Sequence, residues 1–281
     1  THVDFTDSSF FAKYAALPSI AQVRAEAIRQ SPDGIFCPLE HRPPPVFFPD
    51  MRLIVKYGAY NTSIAEGQCL WMIHHYLKGA VPVPELYGWR HEGKAVFLYM
   101  ELVQGVTLKD CWDDLCDADK TSICHDLRAA MQGLRSLRQN PSDTFIGHVG
   151  RQRLRDTFFE SRGAGPFSSV FDLHEFFAFY PHPHDPFPED PDPVREKLPD
   201  DARIVFIHGD LDKTNIIVSP PAHDGQPSRL VCIIDWHQSG WYPDYWEYCK
   251  ARRLTVGPPG YEEEWGDRLL PTFLDVFENF H

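Results

Sequence analysis

Three short apolar runs mark the last third of the chain, and each is closed by polar residues. Ile204-Val205-Phe206-Ile207 leads into His208-Gly209-Asp210, Ile216-Ile217-Val218 leads away from Asn215, and Leu230-Val231-Cys232-Ile233-Ile234 delivers Asp235. Runs of this length bounded by turn residues predict buried strands, whose ends bring Asp210, Asn215 and Asp235 into one cleft. Upstream, Met51–Tyr57 predicts a central strand with Lys56 near its end. Val83–Trp89 and Lys94–Val103 predict two more strands, joined by the turn Arg90-His91-Glu92-Gly93. Helical spacing marks Ser19–Gln30 (Ile20, Val23, Ala27, Ile28), Ser63–Lys78 (Leu70, Ile73, Leu77) and Thr107–Leu115. The clearest stripe, Ile123, Leu127, Met131 and Leu134, lies in a helix predicted over Thr121–Gln139, with Lys120, Arg128, Arg135 and Arg138 read as its solvated face. Phe167–Tyr180, Tyr245–Leu254 and Leu269–Phe280 complete the predicted helices. The proline-rich stretches His41–Asp50 and Pro181–Pro193 predict irregular backbone, the second a flap or linker in which His182 and His184 are solvated.

Composition narrows the classes of partner. The 281 residues carry a net charge of -13, which argues against nucleic acid and anionic membranes and is compatible with a cationic acceptor. Seven scattered cysteines without a Cys-x-x-Cys pair argue against a zinc site and imply buried free thiols in a reducing, cytoplasmic setting. No apolar run has bilayer length and the first residues show no signal peptide, so no membrane association is expected. A monomer or weak homodimer is the expected assembly.

The chemistry-bearing residues admit two readings each. Two carboxylates and an amide suit a hard cation such as Mg2+, or Asp210 and Asp235 merely cap turns. Lys56 suits a polyphosphate, or its ammonium snorkels from a strand end. Ser63-Ile64-Ala65-Glu66 has the spacing of a capping box, in which Glu66 returns to the Ser63 backbone. Asp212 either assists a cationic acceptor or faces solvent, the second being favoured. Lys213 reaches either a transferring phosphate or solvent.

His208-Gly209-Asp210-Leu211…Asn215 and Ile233-Ile234-Asp235-Trp236 closely resemble the catalytic and metal motifs of the aminoglycoside phosphotransferase/choline-kinase-like family. The resemblance runs from about Met51 onward. It implies an α+β, two-lobed protein-kinase-like fold, with a small antiparallel-sheet N-lobe (1–104) and a larger, mostly helical C-lobe (105–281). An acceptor-binding insert would occupy about 140–200, and Gly105 would mark the boundary. Within the insert, Gly165–His174 resembles a stretch recurring in fungal proteins of the family. The resemblance further implies ATP and Mg2+ as cofactors and a hydroxylated small molecule as acceptor. Asp210 would be the catalytic base, Asn215 and Asp235 the metal ligands, and Lys56, paired with Glu66, the phosphate ligand. The backbone of Glu101 and Val103 would hold adenine. Glu247 would anchor a loop. No Gly-x-Gly-x-x-Gly covers the phosphates. Asp212 departs from the family's usual residue, and the short segment after Asp235 argues against a protein acceptor. The alternative is a kinase-like scaffold repurposed for ligand binding or a non-phosphoryl reaction.

Overall fold

The computed structural model describes residues 2–31, 43–59, 61–179, 193–221, 226–253 and 263–277. Strands β1 (Val3–Asp4), β2 (Val46–Phe48), β3 (Leu53–Gly58), β4 (Leu86–Glu92) and β5 (Ala95–Glu101) form one antiparallel sheet in the order β1-β4-β5-β3-β2. The centre of that sheet is β5, because both of its faces are apolar. Val96, Leu98 and Met100 pack with Cys69, Leu70 and Ile73 of helix α2 (Ile64–Tyr76). The alternate residues Phe97 and Tyr99 pack on the other face with Phe10 and Leu17 of the N-terminal segment and with Val23 of α1 (Ile20–Gln30). Period-two alternation thus lets one strand serve two layers.

The larger lobe is assembled from strands of two to four residues between helices. A three-stranded sheet has the order β6 (Val106–Thr107), β8 (Ile216–Val218), β9 (Leu230–Ile233), and β7 (Ile204–Ile207) pairs with β10 (Gly240–Pro243). Around them lie α3 (Asp117–Leu134), α4 (Val170–Ala178), α5 (Trp246–Arg253) and α6 (Leu270–Phe273). The stripe Ile123, Leu127, Met131, Leu134 is fully buried and continues the core that begins at α2. A second core gathers Ile146, Leu154, Phe159, Val170 and Leu173 against Ile207, Tyr242 and Trp246, so the segment 146–173 is packed onto the strand that leads into Asp210. Among the described residues no helix is long and apolar enough to cross a membrane. Cys69, Cys111, Cys116, Cys124, Cys232 and Cys249 are free thiols, and Cys37 lies outside the described residues.

Several expectations need correction. Val46–Phe48, expected to be irregular, is a short edge strand on β3, compatible with its prolines because Pro43, Pro44 and Pro45 all precede it. Thr107–Leu115 is not a helix. Its backbone is drawn to the catalytic stretch instead, with Leu108 N–H donating to Ile216 O and Lys109 N–H to Lys213 O, leaving only a 3-10 turn at Trp112–Asp114. The terminal helix is also broken up: Glu263–Leu269 is a wide π-type turn and α6 ends at Phe273. Pro271, in the first turn of α6, separates the two pieces, since it lacks an N–H and crowds the turn before it. Of the basic residues of α3 and its end, Arg128 and Arg138 are exposed as expected, while Lys120 and Arg135 are half-buried. Lys120 pairs with Glu264, Arg128 donates to Thr272 O and Arg135 to Phe206 O. The flap expected at Pro181–Pro193, with His182 and His184, lies outside the described residues except for Pro193.

Candidate active site

Strand alternation places Lys56 on the face of β3 that looks at α2, since Leu53 and Val55 occupy the opposite layer. Only 7% of Lys56 is exposed, and its Nζ lies 2.6 Å from Glu66 Oε1 and 2.6 Å from Asp235 Oδ1. Glu66 comes from the first turn of α2, where Ser63 Oγ accepts from the Glu66 N–H at 3.2 Å. Half of the capping box therefore forms, while the carboxylate goes to Lys56 rather than back to Ser63. Two carboxylates around one ammonium leave this trio with a net negative charge. Arg155, from the insert, lies close enough to act electrostatically on Glu66.

Asp235 follows β9 in a left-handed conformation (φ 66°, ψ 59°), which Asp tolerates better than most residues. That turn aims its carboxylate at Lys56, with His237 Nδ1 at 3.1 Å from the same oxygen. The pairing of Ile216 with Ile233 holds the neighbouring strand ends in register, and Ile234 N–H donates to Asn215 O at 2.9 Å. Asn215 Nδ2 is committed to Asp210, at 2.8 Å from its backbone O and 3.2 Å from Oδ2. The amide oxygen of Asn215 is thereby turned away from Asp210.

His208 joins the two loops. Its Nε2 lies 2.9 Å from Ile234 O and so carries the proton, which leaves Nδ1 to accept from the Asp210 N–H at 3.1 Å. Glu247, on α5 and 1% exposed, accepts from the N–H groups of His208 and Gly209 at 2.7 and 3.0 Å. Gly209 (φ +77°) must be glycine on two grounds, because a Cβ there would also stand 2.5 Å from Gln238 O. Asp212, expected to face solvent, caps the next turn by accepting from Thr214 N–H and Oγ1–H at 2.9 and 2.8 Å. Lys213 reaches neither phosphate nor solvent. It is fully buried over the rings of Trp112 and Trp265, and burial pushes its ammonium down to about 8.

Glu101 ends β5 and Val103 follows it; the Glu101 N–H donates to Glu85 O within the sheet. Lys56 pairs with Leu98 and Leu53 with Glu101, so the two positions are three residues apart along paired strands, roughly 10 Å. That spacing suits a nucleotide with its base at one end and its phosphates at the other. Among the described residues, no group of three or more His, Cys, Asp or Glu side chains converges as a metal cage. The oxygen donors at the strand ends are the Asp235 carboxylate and the Asn215 amide. This sparse hard set fits Mg2+, which retains waters and phosphate oxygens as its remaining ligands.

Three supports of this site carry no motif and show only in the fold. Asp156 and Lys250, at most 2% exposed, form a 2.9 Å ion pair, and Lys250 Nζ also donates to Gln238 Oε1, which ties the insert to the segment after Asp235. Gln152 Nε2 donates to Gln68 Oε1 at 2.7 Å, linking the insert to α2. His148 is fully buried, its Nδ1 accepting from the Val149 N–H, and burial, with Arg155 and His237 nearby, pushes it down to about 3. In the unfolded chain the same ring titrates near 6.5, so unfolding takes up a proton below that pH. The stability owed to the neutral ring is complete above about 6.5 and is lost as pH falls towards 3. Urea unfolding should therefore weaken by up to ~1.4 kcal/mol per pH unit below about 6. His148→Asn, which keeps an acceptor for Val149, should flatten that slope, and an unchanged slope would exclude His148 as its source.

An antiparallel sheet over a mostly helical lobe, with a lysine–glutamate–aspartate trio between them, defines a protein of the kinase-like class. Residues 70–272 match the family model described as the phosphotransferase enzyme family, and the chain belongs to that family. No curated protein sequence matches it. Among solved structures it is similar to aminoglycoside phosphotransferase APH(3'')-Id from Streptomyces rimosus in complex with ADP and streptomycin, at 17% identity and TM-score 0.49, covering 82% of this chain and 83% of that one. It is similar also to aminoglycoside-3'-phosphotransferase of type VIII (13%, TM-score 0.48, 81% and 80% covered). A thermostable mutant of APH(4)-Ia with ADP and hygromycin B gives 14% identity and TM-score 0.47, with 77% and 68% covered. In another APH(4)-Ia structure the chain spans 62% of the enzyme's length, a little under two thirds.

Proposed function

We propose that this protein is an ATP- and Mg2+-dependent phosphotransferase acting on a hydroxyl of a small molecule. The observation that carries the reading is the buried Lys56 ammonium bound at once to Glu66 and Asp235. Such a lysine is fixed in place, at the strand end where phosphate charge needs neutralising. The backbone carbonyl of Glu101 and the N–H of Val103 would hold the adenine, Lys56 the phosphates, and Asn215 and Asp235 the metal. Bound there, Mg2+ would supply charge neutralisation on the phosphates. Asp210 would orient the acceptor hydroxyl and take its proton as the acceptor oxygen bonds to the γ-phosphorus. The bond from that phosphorus to the bridging oxygen breaks, and the electron pair leaves with ADP. Glu247 and His208 do no chemistry in this scheme, but hold Asp210 still.

The lobe boundary would fall at Gly105, with the acceptor bound on the side of the insert, about 140–200. Calorimetry with ATP and Mg2+, followed by ADP release on a panel of hydroxylated cationic and neutral metabolites, tests the reading. Nucleotide binding that needs Mg2+ and acceptor-dependent ADP release are expected. Absence of nucleotide binding would favour a scaffold turned to ligand binding.

A further inference from the structure

Lys213 sits in the middle of the stretch that holds Asp210 and Asn215, yet its side chain leaves the cleft. The turn Lys213–Asn215 is a 3-10 turn. With three residues per turn, the side chains of Lys213 and Asn215 diverge by roughly 120°. Asn215 faces Asp210, while Lys213 is driven into the core behind the loop. There its Nζ stands 4.0 Å from the Trp112 ring centroid and 5.6 Å from that of Trp265. The two rings meet edge to face at 5.7 Å and 85°. Trp112 is offered a second cation, Lys120, at 4.5 Å, but that ammonium is held at 3.0 Å by both oxygens of Glu264. The nearest carboxylate to Lys213 in sequence, Asp212, is occupied in capping Thr214. Asp212, Glu264 and Asp113 favour the Lys213 charge through space, and the faces of Trp112 and Trp265 add direct contact with it.

The backbone reinforces the same joint. Lys213 O accepts from the Lys109 N–H and Ile216 O from the Leu108 N–H, so the segment carrying Trp112 is stitched to the turn that carries Lys213. Trp265 brings in the π-type turn Glu263–Leu269, and the loop is clamped from behind by two distant parts of the chain. We propose that Lys213 is a positioning residue for phosphoryl transfer: its ammonium, held on Trp112 and Trp265, fixes the turn between Asp210 and Asn215. The catalytic part of this inference rests on the kinase reading above. Without the charge, the turn can rock, and the Asn215 contacts to Asp210 are the first to loosen. Transfer is sensitive to small misplacements of that kind.

Amide exchange across residues 208–215 in the full chain at pH 7, read beside Mg2+-dependent ATP turnover, tests this. Lys213→Met keeps the stem and removes the charge. It is expected to exchange about thirtyfold faster in that stretch, the weight of one desolvated cation–π contact. Turnover should fall with it, while the affinity for metal-free ADP stays unchanged. Lys213→Arg, still a cation on the rings, is expected to return exchange to within about threefold of wild type. Should Lys213→Met fail to fold, Trp112→Phe reads the same contact through a weaker ring and is expected to raise exchange in the same stretch. Wild-type exchange in Lys213→Met or in Trp112→Phe, or Lys213→Arg as fast as Lys213→Met, overturns the assignment. Exchange needs neither nucleotide nor acceptor. A wild-type protein without ATP turnover therefore sinks the kinase reading separately, and exchange alone then decides whether Lys213 holds the loop.

Discussion

Asp210→Asn is expected to lower phosphoryl transfer by about a thousandfold, within the range for loss of a general base. Nucleotide affinity should stay close to wild type. The substitution is nearly isosteric, and an asparagine oxygen can still accept from Asn215 Nδ2, which reaches both the backbone O and Oδ2 of Asp210. The Asp210 backbone N–H would remain on His208 Nδ1. What disappears is the basic oxygen that takes the acceptor proton. Single-turnover transfer from γ-labelled ATP, beside calorimetry with ADP, separates these effects. Transfer at wild-type rate would remove Asp210 from the chemistry, and a collapse of ADP binding would show that it acts on nucleotide instead.

Asp235→Asn should act on the other side of the reaction. Asp235 holds Lys56 at 2.6 Å and supplies the single carboxylate of the candidate metal pair. The expected loss in kcat/KM is about a hundredfold to a thousandfold, the usual range for removing one preorganised electrostatic contact. Tightening of ATP binding by Mg2+ should vanish. Glu66→Gln makes the control, because it disturbs the same lysine from the other side without touching a metal ligand. It should weaken ATP binding yet leave a clear response to Mg2+. Equal Mg2+ response in wild type and Asp235→Asn would exclude Asp235 from metal binding.

Strands and the stripe of α3 were legible because burial on one or two faces leaves a period in the sequence. Ile204–Ile207 and Val46–Phe48 mark the limits of that legibility. The first has no polar residue and is bounded as read, whereas the second is masked by the prolines before it. Thr107–Leu115 has helical spacing but loses its backbone groups to Ile216 and Lys213, a competition between segments about a hundred residues apart that no local pattern reports. The site divides in the same way. Lys56, Glu66 and Asp235 were named from motif and spacing, and the structure brings them together; it also decides between the two readings of Glu66. Asp212 caps Thr214 two residues on, a local use that leaves it at the surface, whereas Lys213 escaped the reading because its partners are set by tertiary contacts. For Lys213 these are two tryptophans far away in sequence, and a lysine beside a catalytic aspartate looks from sequence alone like a phosphate ligand. His148, Asp156 and Lys250 carry no motif at all, and only their burial reveals them.

The shared lysine has a thermodynamic consequence. Asp235 cannot serve a divalent ion fully while it also neutralises Lys56, and Lys56 cannot serve a triphosphate fully while it neutralises Asp235. Arrival of either guest releases the group the other guest wants. Metal and nucleotide should therefore each raise the affinity for the other by the same factor, as reciprocity of binding free energies requires. The ion pair at rest acts as a lock with two keys, and each key turns more easily once the other is in.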